Sequence, residues 1–174
     1  MKPIHAVLGI AAAALLSGCQ SVPPDAPRAA ASLEPTKGST VRGTARFVQV
    51  GDKVRVTASV SGLKPGGEFG FHIHEAGDCS SGDGMSTKGH FNPLAKAHSH
   101  HATTERHAGD LPSLKSDGAG NASLTIDLDV ITVAAGPTSI VGRGLIVHAA
   151  PDDFKTQPTG NAGARSACAV IQRS

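Results

Sequence analysis

The stretch VRGTARFVQVGDKVRVTASV, residues 41–60, decides the fold of this 174-residue chain. Apolar residues alternate with polar ones on both sides of Gly51-Asp52, which is typical of a hairpin with one buried face and one face in water. Further short strands are predicted at 68–74, 122–130, 140–148 and 167–171. Short strands joined by glycine-rich turns, without a helical period, predict an all-β domain built as an antiparallel sandwich or barrel.

The composition limits the classes of function. With 39% hydrophobic and 17% charged residues, the chain has one domain's worth of sequence and a modest core. Its 16 basic and 14 acidic residues give a net charge of +2, and no basic block is longer than two residues. This charge pattern argues against nucleic acid as a partner. The unusual feature is nine histidines beside no Trp and no Tyr.

Residues 1–18 predict an export signal. Lys2 precedes the apolar run 6–16, which is too short to span a bilayer. The run ends in Leu16-Ser17-Gly18-Cys19, which resembles a bacterial lipobox, whose cysteine carries the lipid; the alternative is ordinary signal cleavage beside a chance cysteine. Gln20 lacks the aspartate associated with inner-membrane retention. We therefore expect an exported, periplasm-facing lipoprotein of the outer membrane, in contact with the membrane only through its N-terminal lipid.

The segment 19–39 is rich in Pro and Ala and shows no period. It predicts a flexible, lipid-anchored tether that leads into a domain of residues 40–174. Lipidation of Cys19 would leave Cys79 and Cys168, an even pair in an oxidising compartment.

Two histidines flank Ile73 on the predicted strand 68–74. His72 and His74 are two residues apart, so both side chains lie on one face of the strand, about 6–7 Å from each other. One metal ion can therefore bind both imidazoles. Taken alone, such a pair is also compatible with surface or core histidines.

Five more side chains of metal-binding type follow. The loop 75–112 is long for a compact domain, which indicates a functional loop. It contributes three imidazoles and a carboxylate, a set suited to tetrahedral zinc: His90, His98, His107 and Asp110. His148 ends the predicted strand 140–148, and we expect it to point back towards the first pair. Sites rich in imidazole suit copper and zinc better than magnesium or calcium.

Four motifs carry a resemblance to a known family. GFHIHE (70–75), GHFNP (89–93), RHAGDL (106–111) and GNAGAR (160–165) resemble copper/zinc superoxide dismutase, and the similarity extends over roughly residues 40–172. The resemblance implies a Greek-key antiparallel β-sandwich or flattened barrel of about eight strands, Ig-like, with two long functional loops. It also implies dismutation of superoxide to oxygen and hydrogen peroxide, with one copper and one zinc ion per subunit.

The same resemblance assigns roles to individual residues. It implies copper ligands at His72, His74, His90 and His148. It implies zinc ligands at His90, His98, His107 and Asp110, with His90 as the imidazolate between the two metals. Asp152 is expected to link a copper histidine to a zinc histidine, and Arg165 to attract the superoxide anion beside copper. Cys79 and Cys168 match the intrasubunit disulfide.

Some features leave alternatives open. The ten residues between Cys79 and His90 resemble the bacterial periplasmic branch of the family, which would protect the cell envelope from superoxide. His100 and His101 are either solvated or a weak auxiliary metal-binding patch, and Lys155 is either a cation at the mouth of the site or a solvated loop lysine. Rival functions are a non-enzymatic metal carrier or metallochaperone and a structural envelope lipoprotein. Both a monomer and a homodimer remain open.

Overall fold

The structure is a computed structural model that describes residues 22–174. Over this range the strands are β1 Arg28–Pro35, β2 Arg42–Val50, β3 Lys53–Ser61, β4 Glu68–Phe69, β5 Phe71–His74, β6 Leu114–Lys115, β7 Ala122–Leu128, β8 Gly144–His148, β9 Arg165–Val170 and β10 Gln172–Arg173. The helical content of the same range is one 3₁₀ turn, Met85–Thr87. None of it forms a helix with the length and apolarity that crossing a membrane requires. The predicted signal and Cys19 lie outside the described residues.

The main sheet is antiparallel and curled, in the order β5-β8-β9-β1-β2-β3-β7, with β10 paired to β1 and a separate pair β4-β6. β2 and β3 form the predicted hairpin, with Val50 opposite Lys53 across Gly51-Asp52. β5 lies beside β8, and β9 beside β1, although neither pair is consecutive in the chain, as in a Greek key. The predicted fold class, an all-β antiparallel sandwich or flattened barrel of about eight strands, is confirmed.

The predicted tether is wrong for part of its length. Residues 28–35 form β1, which pairs with β2 on one side and with β9 and β10 on the other. Ala29, Ala31 and Leu33 are buried while their neighbours along the strand are more exposed. Two of the three buried side chains are alanines, so the alternation is weak in the sequence although the strand completes the sheet. The folded domain therefore begins at Arg28 and not at residue 40.

The predicted strand 68–74 is two strands that separate at Gly70. β4 pairs with β6, whereas β5 pairs with β8. A Cβ atom at Gly70 would lie 2.8 Å from the Ala162 Cβ and 3.0 Å from the His72 ring, so only glycine fits at this crossing.

β5 is buried along its whole length, and its two faces have different roles. Phe71 and Ile73 belong to the hydrophobic core. His72 and His74 alternate with them and therefore lie on the opposite face, under the loop 75–112. The fold thus holds two imidazoles in a dry environment between the core and a long loop.

Candidate metal centre

The first group of possible metal ligands lies at the ends of β5 and β8. Its members are all buried, and one donor atom from each lies within 4.8 Å of the others: His72, His74, His90 and His148. The His74 and His148 Nε2 atoms are 3.4 Å apart. An irregularity in the β8–β9 pairing falls between Val147 and His148, at the point where β8 delivers its last side chain to the site.

A second buried group shares His90 with the first. Its members are His90, His98, His107 and Asp110. Asp110 Oδ1 is the common neighbour, at 2.8 Å from His90 Nδ1, 3.0 Å from His98 Nδ1 and 3.5 Å from His107 Nδ1. The structure therefore brings together all seven metal-type side chains that the sequence singled out, in two groups joined by one histidine.

The long loop is fixed to β5 by backbone contacts. Isolated bridges pair His74 with His90 and His72 with Asp110. The Phe91 N–H donates to the Ile73 carbonyl at 2.8 Å, and the Ile73 N–H donates to Gly109 at 2.9 Å. The loop thus continues the pairing of β5, and this pairing aligns the loop histidines with the strand histidines.

Asp152 connects the two groups from outside. The Nε2 atoms of His72 and His98 contact Asp152 Oδ2 at 2.7 Å and Oδ1 at 2.9 Å, respectively. Asp152 is itself held by the Phe154 N–H at 2.7 Å. With each Nε2–H donating to this carboxylate, the Nδ1 atom of His72 faces the four-histidine group and that of His98 faces Asp110 in the second group.

Burial and hydrogen bonding set the charge states of the metal-free site. Burial lowers the pKa of His90 to about 4 and that of His148 to about 3, so both rings are neutral near pH 7. Burial acts in the same direction on His98, but its hydrogen bonds to Asp110 and Asp152 outweigh it and raise the pKa of His98 to about 9. Burial opposes the ionisation of both aspartates, yet histidine hydrogen bonds hold their pKa values well below the usual range.

Two ring nitrogens show that the donor set fits a metal ion. His72 Nδ1 and His90 Nε2 are buried, and neither has a hydrogen-bond partner within residues 22–174. Buried polar atoms are normally satisfied, so each of these exceptions requires an explanation. Both atoms belong to the four-histidine group, and imidazoles in that number are the ligands that copper and zinc accept.

Arg165 lies beside the four-histidine group, because it pairs with His148 across β8 and β9. Its guanidinium donates to the Gly84 carbonyl at 2.5 Å, to Thr87 Oγ1 at 2.8 Å and to the Lys88 carbonyl at 2.5 Å. A cation held in this way at the edge of the site can attract an anion.

Contacts that the sequence did not indicate also hold Arg165. The Arg165 carbonyl accepts a hydrogen bond from Thr36 Oγ1 at 2.6 Å. Thr36 lies within the predicted tether, and the acceptors at Gly84 and Lys88 are backbone atoms, so no motif could have identified them. The disulfide Cys79–Cys168 is present, and it links the segment 79–88, which contains the Gly84 and Lys88 acceptors, to β9.

The remaining predicted residues lie apart from the two groups. His100 and His101 stack on each other with ring centroids 4.0 Å apart, and His100 also contacts Phe154 edge-on. Neither belongs to a donor group of three or more among the described residues. Lys155 is exposed, and its side chain makes no hydrogen bond or ion pair within residues 22–174.

Comparison with known proteins settles the family. Residues 41–171 match the family model of copper/zinc superoxide dismutase (SODC). The chain belongs to the copper/zinc superoxide dismutase family. The Cu-Zn superoxide dismutase 2 of Aquifex aeolicus (strain VF5) is 37% identical over 149 residues, which cover 83% of this chain and 86% of the relative. The Cu-Zn superoxide dismutase of Paramecium bursaria Chlorella virus 1 is 42% identical over 137 residues, which cover 75% and 72%.

A solved structure shows the same fold. The crystal structure of the clock protein EA4 superposes with a TM-score of 0.76 at 41% identity and covers 83% of this chain and 93% of that one. The chain is a superoxide dismutase that uses copper and zinc and converts two superoxide anions and two protons to oxygen and hydrogen peroxide. A metal carrier without activity, the main rival from the sequence, is not favoured.

Proposed function

We propose that the two side-chain groups divide the metals of this superoxide dismutase. Copper is held by His72, His74, His90 and His148, and zinc by His90, His98, His107 and Asp110. The observation that carries this division is the place of His90 in both groups. Its Nδ1 lies beside Asp110, while its buried Nε2 has no partner within residues 22–174. A ring that presents one nitrogen to each of the two groups could bridge two metal ions as an imidazolate.

The residues around the copper group have separate tasks. Copper supplies the one-electron redox change, and zinc supplies a fixed positive charge without redox chemistry of its own. Arg165 attracts superoxide and orients it beside His148. When it is not coordinated, the Nε2 atom of His90 would hold a proton and would supply one of the two protons that convert the reduced substrate to hydrogen peroxide, with the second taken from solvent. Asp152 holds the rings of His72 and His98 in the orientation that coordination needs.

Ligand variants test the division of the metals. His148→Ala should lose copper and keep zinc, because His148 belongs to the four-histidine group only. His107→Ala should lose zinc first, because His107 belongs to the other group only. Copper and zinc are measured by elemental analysis, and superoxide consumption is assayed on the same samples. A His148→Ala protein that keeps copper contradicts the assignment. A wild-type protein that binds both metals but consumes no superoxide would instead support the carrier.

We also propose that the enzyme is an exported lipoprotein, anchored through Cys19 at the periplasmic face of the outer membrane, where it protects the cell envelope from superoxide. The support is the sequence of residues 1–20, with its short apolar run and lipobox-like end. Because β1 begins at Arg28, eight residues separate Cys19 from the folded domain. The whole domain would then lie close to the membrane surface.

A further inference from the structure

Three exposed arginines lie together on the surface around the start of β1. Arg28 begins β1, Arg46 lies in β2 and Arg173 ends β10. Ala30 pairs with Arg46 in β2, and Ala29 pairs with Arg173 in β10, so the three arginines lie on neighbouring strands. We call these three residues the arginine patch.

The charges of the arginine patch have no partners within the folded chain. Over residues 22–174, none of its three guanidinium groups forms a hydrogen bond or an ion pair. Two acidic side chains of the same sheet are engaged elsewhere, because Asp127 pairs with Arg55 at 2.7 Å and Glu34 accepts from Ser32 at 3.2 Å. The carboxyl group of Ser174 lies beside the patch and offsets one of the three charges. The patch therefore keeps a net positive charge.

Two shallow grooves meet at Arg46. One, of about 380 Å³, has Arg28 and Arg46 in its lining, and the other, of about 390 Å³, has Arg46 and Arg173. Both also contain Ala30, whose small side chain leaves space between the arginines. A guanidinium group can donate two parallel hydrogen bonds to a phosphate. Each groove can thus receive one phosphate group between two arginines.

The arginine patch lies where the chain enters the domain. The Gln49 N–H donates to the Pro27 carbonyl at 2.9 Å, so the chain is fixed to β2 immediately before Arg28. The eight residues between Cys19 and Arg28 can span at most about 29 Å. A lipid on Cys19 would therefore keep the patch close to the membrane surface, where a tether makes even weak binding to headgroups effective.

The arginine patch and the metal centre face in different directions. Arg28 and Arg46 alternate with the buried Ala29 and Phe47, so they point away from the core on the side of β1 and β2. The two histidines of β5 point away from the core at one edge of the curled sheet, three strands from β1. A membrane against the patch thus leaves the copper group accessible to superoxide.

We propose that the arginine patch binds the phosphate groups of anionic phospholipids and holds the domain on the membrane with its metal centre turned away from the bilayer. This role rests on the lipoprotein proposal for the membrane that the patch meets, but headgroup binding itself does not require the lipid on Cys19. Near an anionic bilayer, each arginine strengthens binding about fivefold at low salt.

Vesicle binding by the copper- and zinc-loaded chain 19–174 with Cys19→Ser, which contains every described residue and no lipid, tests the patch. At low salt this chain should sediment with phosphatidylcholine vesicles that contain phosphatidylglycerol, and not with vesicles of phosphatidylcholine alone. Arg46→Ser should lower the vesicle affinity about fivefold, and the triple variant Arg28→Ser/Arg46→Ser/Arg173→Ser about 100-fold. High salt should abolish binding, because it screens the charges. Metal content and the superoxide rate in solution should not change.

A second triple variant separates the patch from the overall charge. Lys37→Ser/Lys64→Ser/Lys115→Ser removes the same charge from three exposed lysines outside the patch, so it should bind the vesicles as the parent chain does. If the arginine and lysine variants lose equal affinity, overall charge explains the binding and the proposal is wrong. Binding to soluble polyphosphate but not to the vesicles would also overturn it, because the partner would then be a soluble polyanion.

The lipid anchor is measured separately, by the acyl mass on the wild-type N-terminus. An acylated wild-type protein, together with no vesicle binding by the Cys19→Ser chain, would refute the patch and leave the anchor in place. Vesicle binding that depends on the three arginines, in a protein whose wild type carries no acyl mass, would support the patch and refute the anchor.

Discussion

Asp152 shows how one side chain can connect two groups of possible metal ligands. It accepts from His72, which belongs to one group, and from His98, which belongs to the other. Holding the outer nitrogen of a ligand histidine fixes the ring and its tautomer. Any movement of this carboxylate should therefore change the orientation of a histidine ring in both groups.

We expect Asp152→Asn to weaken zinc binding by about 10–100-fold, with copper largely retained, because His98 loses a charged acceptor. The metal-free protein supplies a second readout. With a pKa of about 9, His98 carries a proton at pH 7 and must release it when zinc binds. The variant should release fewer protons when zinc binds, because its His98 has a lower pKa and is less fully protonated at pH 7. Titration calorimetry in buffers of different ionisation enthalpy measures both the zinc affinity and the number of protons released on binding. Wild-type zinc affinity in the variant would show that Asp152 does not hold the site.

Gly160 makes room for the same carboxylate. It has a φ of +66°, and a Cβ on it would overlap Asp152 Oδ1 and lie 2.6 Å from His98 Nε2. Gly160→Ala should therefore weaken zinc binding. Gly163→Ala is a matched control, since Gly163 also has a positive φ of +76° but a Cβ there meets nothing closer than 3.3 Å. Both variants should lose stability from backbone strain, but only the first should lose zinc, as elemental analysis would reveal. Equal zinc loss in both would mean that strain alone is responsible.

The link between the 79–88 segment and β9 is the main feature at the scale of elements. The disulfide joins Cys79 to Cys168, 89 positions apart, and Arg165 donates back to the same segment three residues before that cysteine. The Lys37 N–H, just after β1, adds a hydrogen bond to the Gly82 carbonyl at 2.7 Å. The segment is therefore held by two strands at once.

Replacing both cysteines with serine should cost roughly 4–5 kcal/mol in the chain-entropy view of a loop this long. The melting temperature of the metal-loaded protein should fall by roughly 10 °C or more. Scanning calorimetry measures the change. Met85→Ala, at an exposed position of the same segment, should leave the melting temperature nearly unchanged. A double serine variant that melts with the wild type would contradict a stabilising role of the bond.

Strands in which apolar and polar residues alternate clearly were predictable from the sequence. β2 and β3 follow from their apolar positions, and His72 and His74 fall on one strand face, as their spacing indicates. β1 was missed because its buried side chains include Ala29 and Ala31, which give little hydrophobic contrast. The support of Arg165 was missed because two of its acceptors are backbone carbonyls, which any residue type can supply.

At the scale of the whole molecule, the segment between Cys19, the proposed lipid attachment site, and the first strand is short. The eight residues 20–27 can span at most about 29 Å. The strand that follows is an integral part of the sheet. Under the lipoprotein proposal, the enzyme is therefore held near the membrane and does not range widely from it.

Cys19→Ser should release the protein from the membrane fraction while the activity of each metal-loaded molecule stays the same, because Cys19 precedes the folded domain. Fractionation followed by an activity assay and N-terminal mass analysis measures the change. Val22→Ser, three residues further on, is a control that should keep the lipid. A wild-type protein found in the soluble fraction, with no acyl mass on its N-terminus, would refute the anchor.

The hydrogen bond from Thr36 to the Arg165 carbonyl has a mechanical consequence. Thr36 directly follows β1, and β1 is the first strand to bear any force applied to the N-terminal end of the domain. Tension at that end would load the β1 pairings and, through Thr36, the backbone of Arg165 beside the four-histidine group. Under the lipoprotein proposal, a pull through the lipid would therefore act on the backbone of the residue that attracts the substrate.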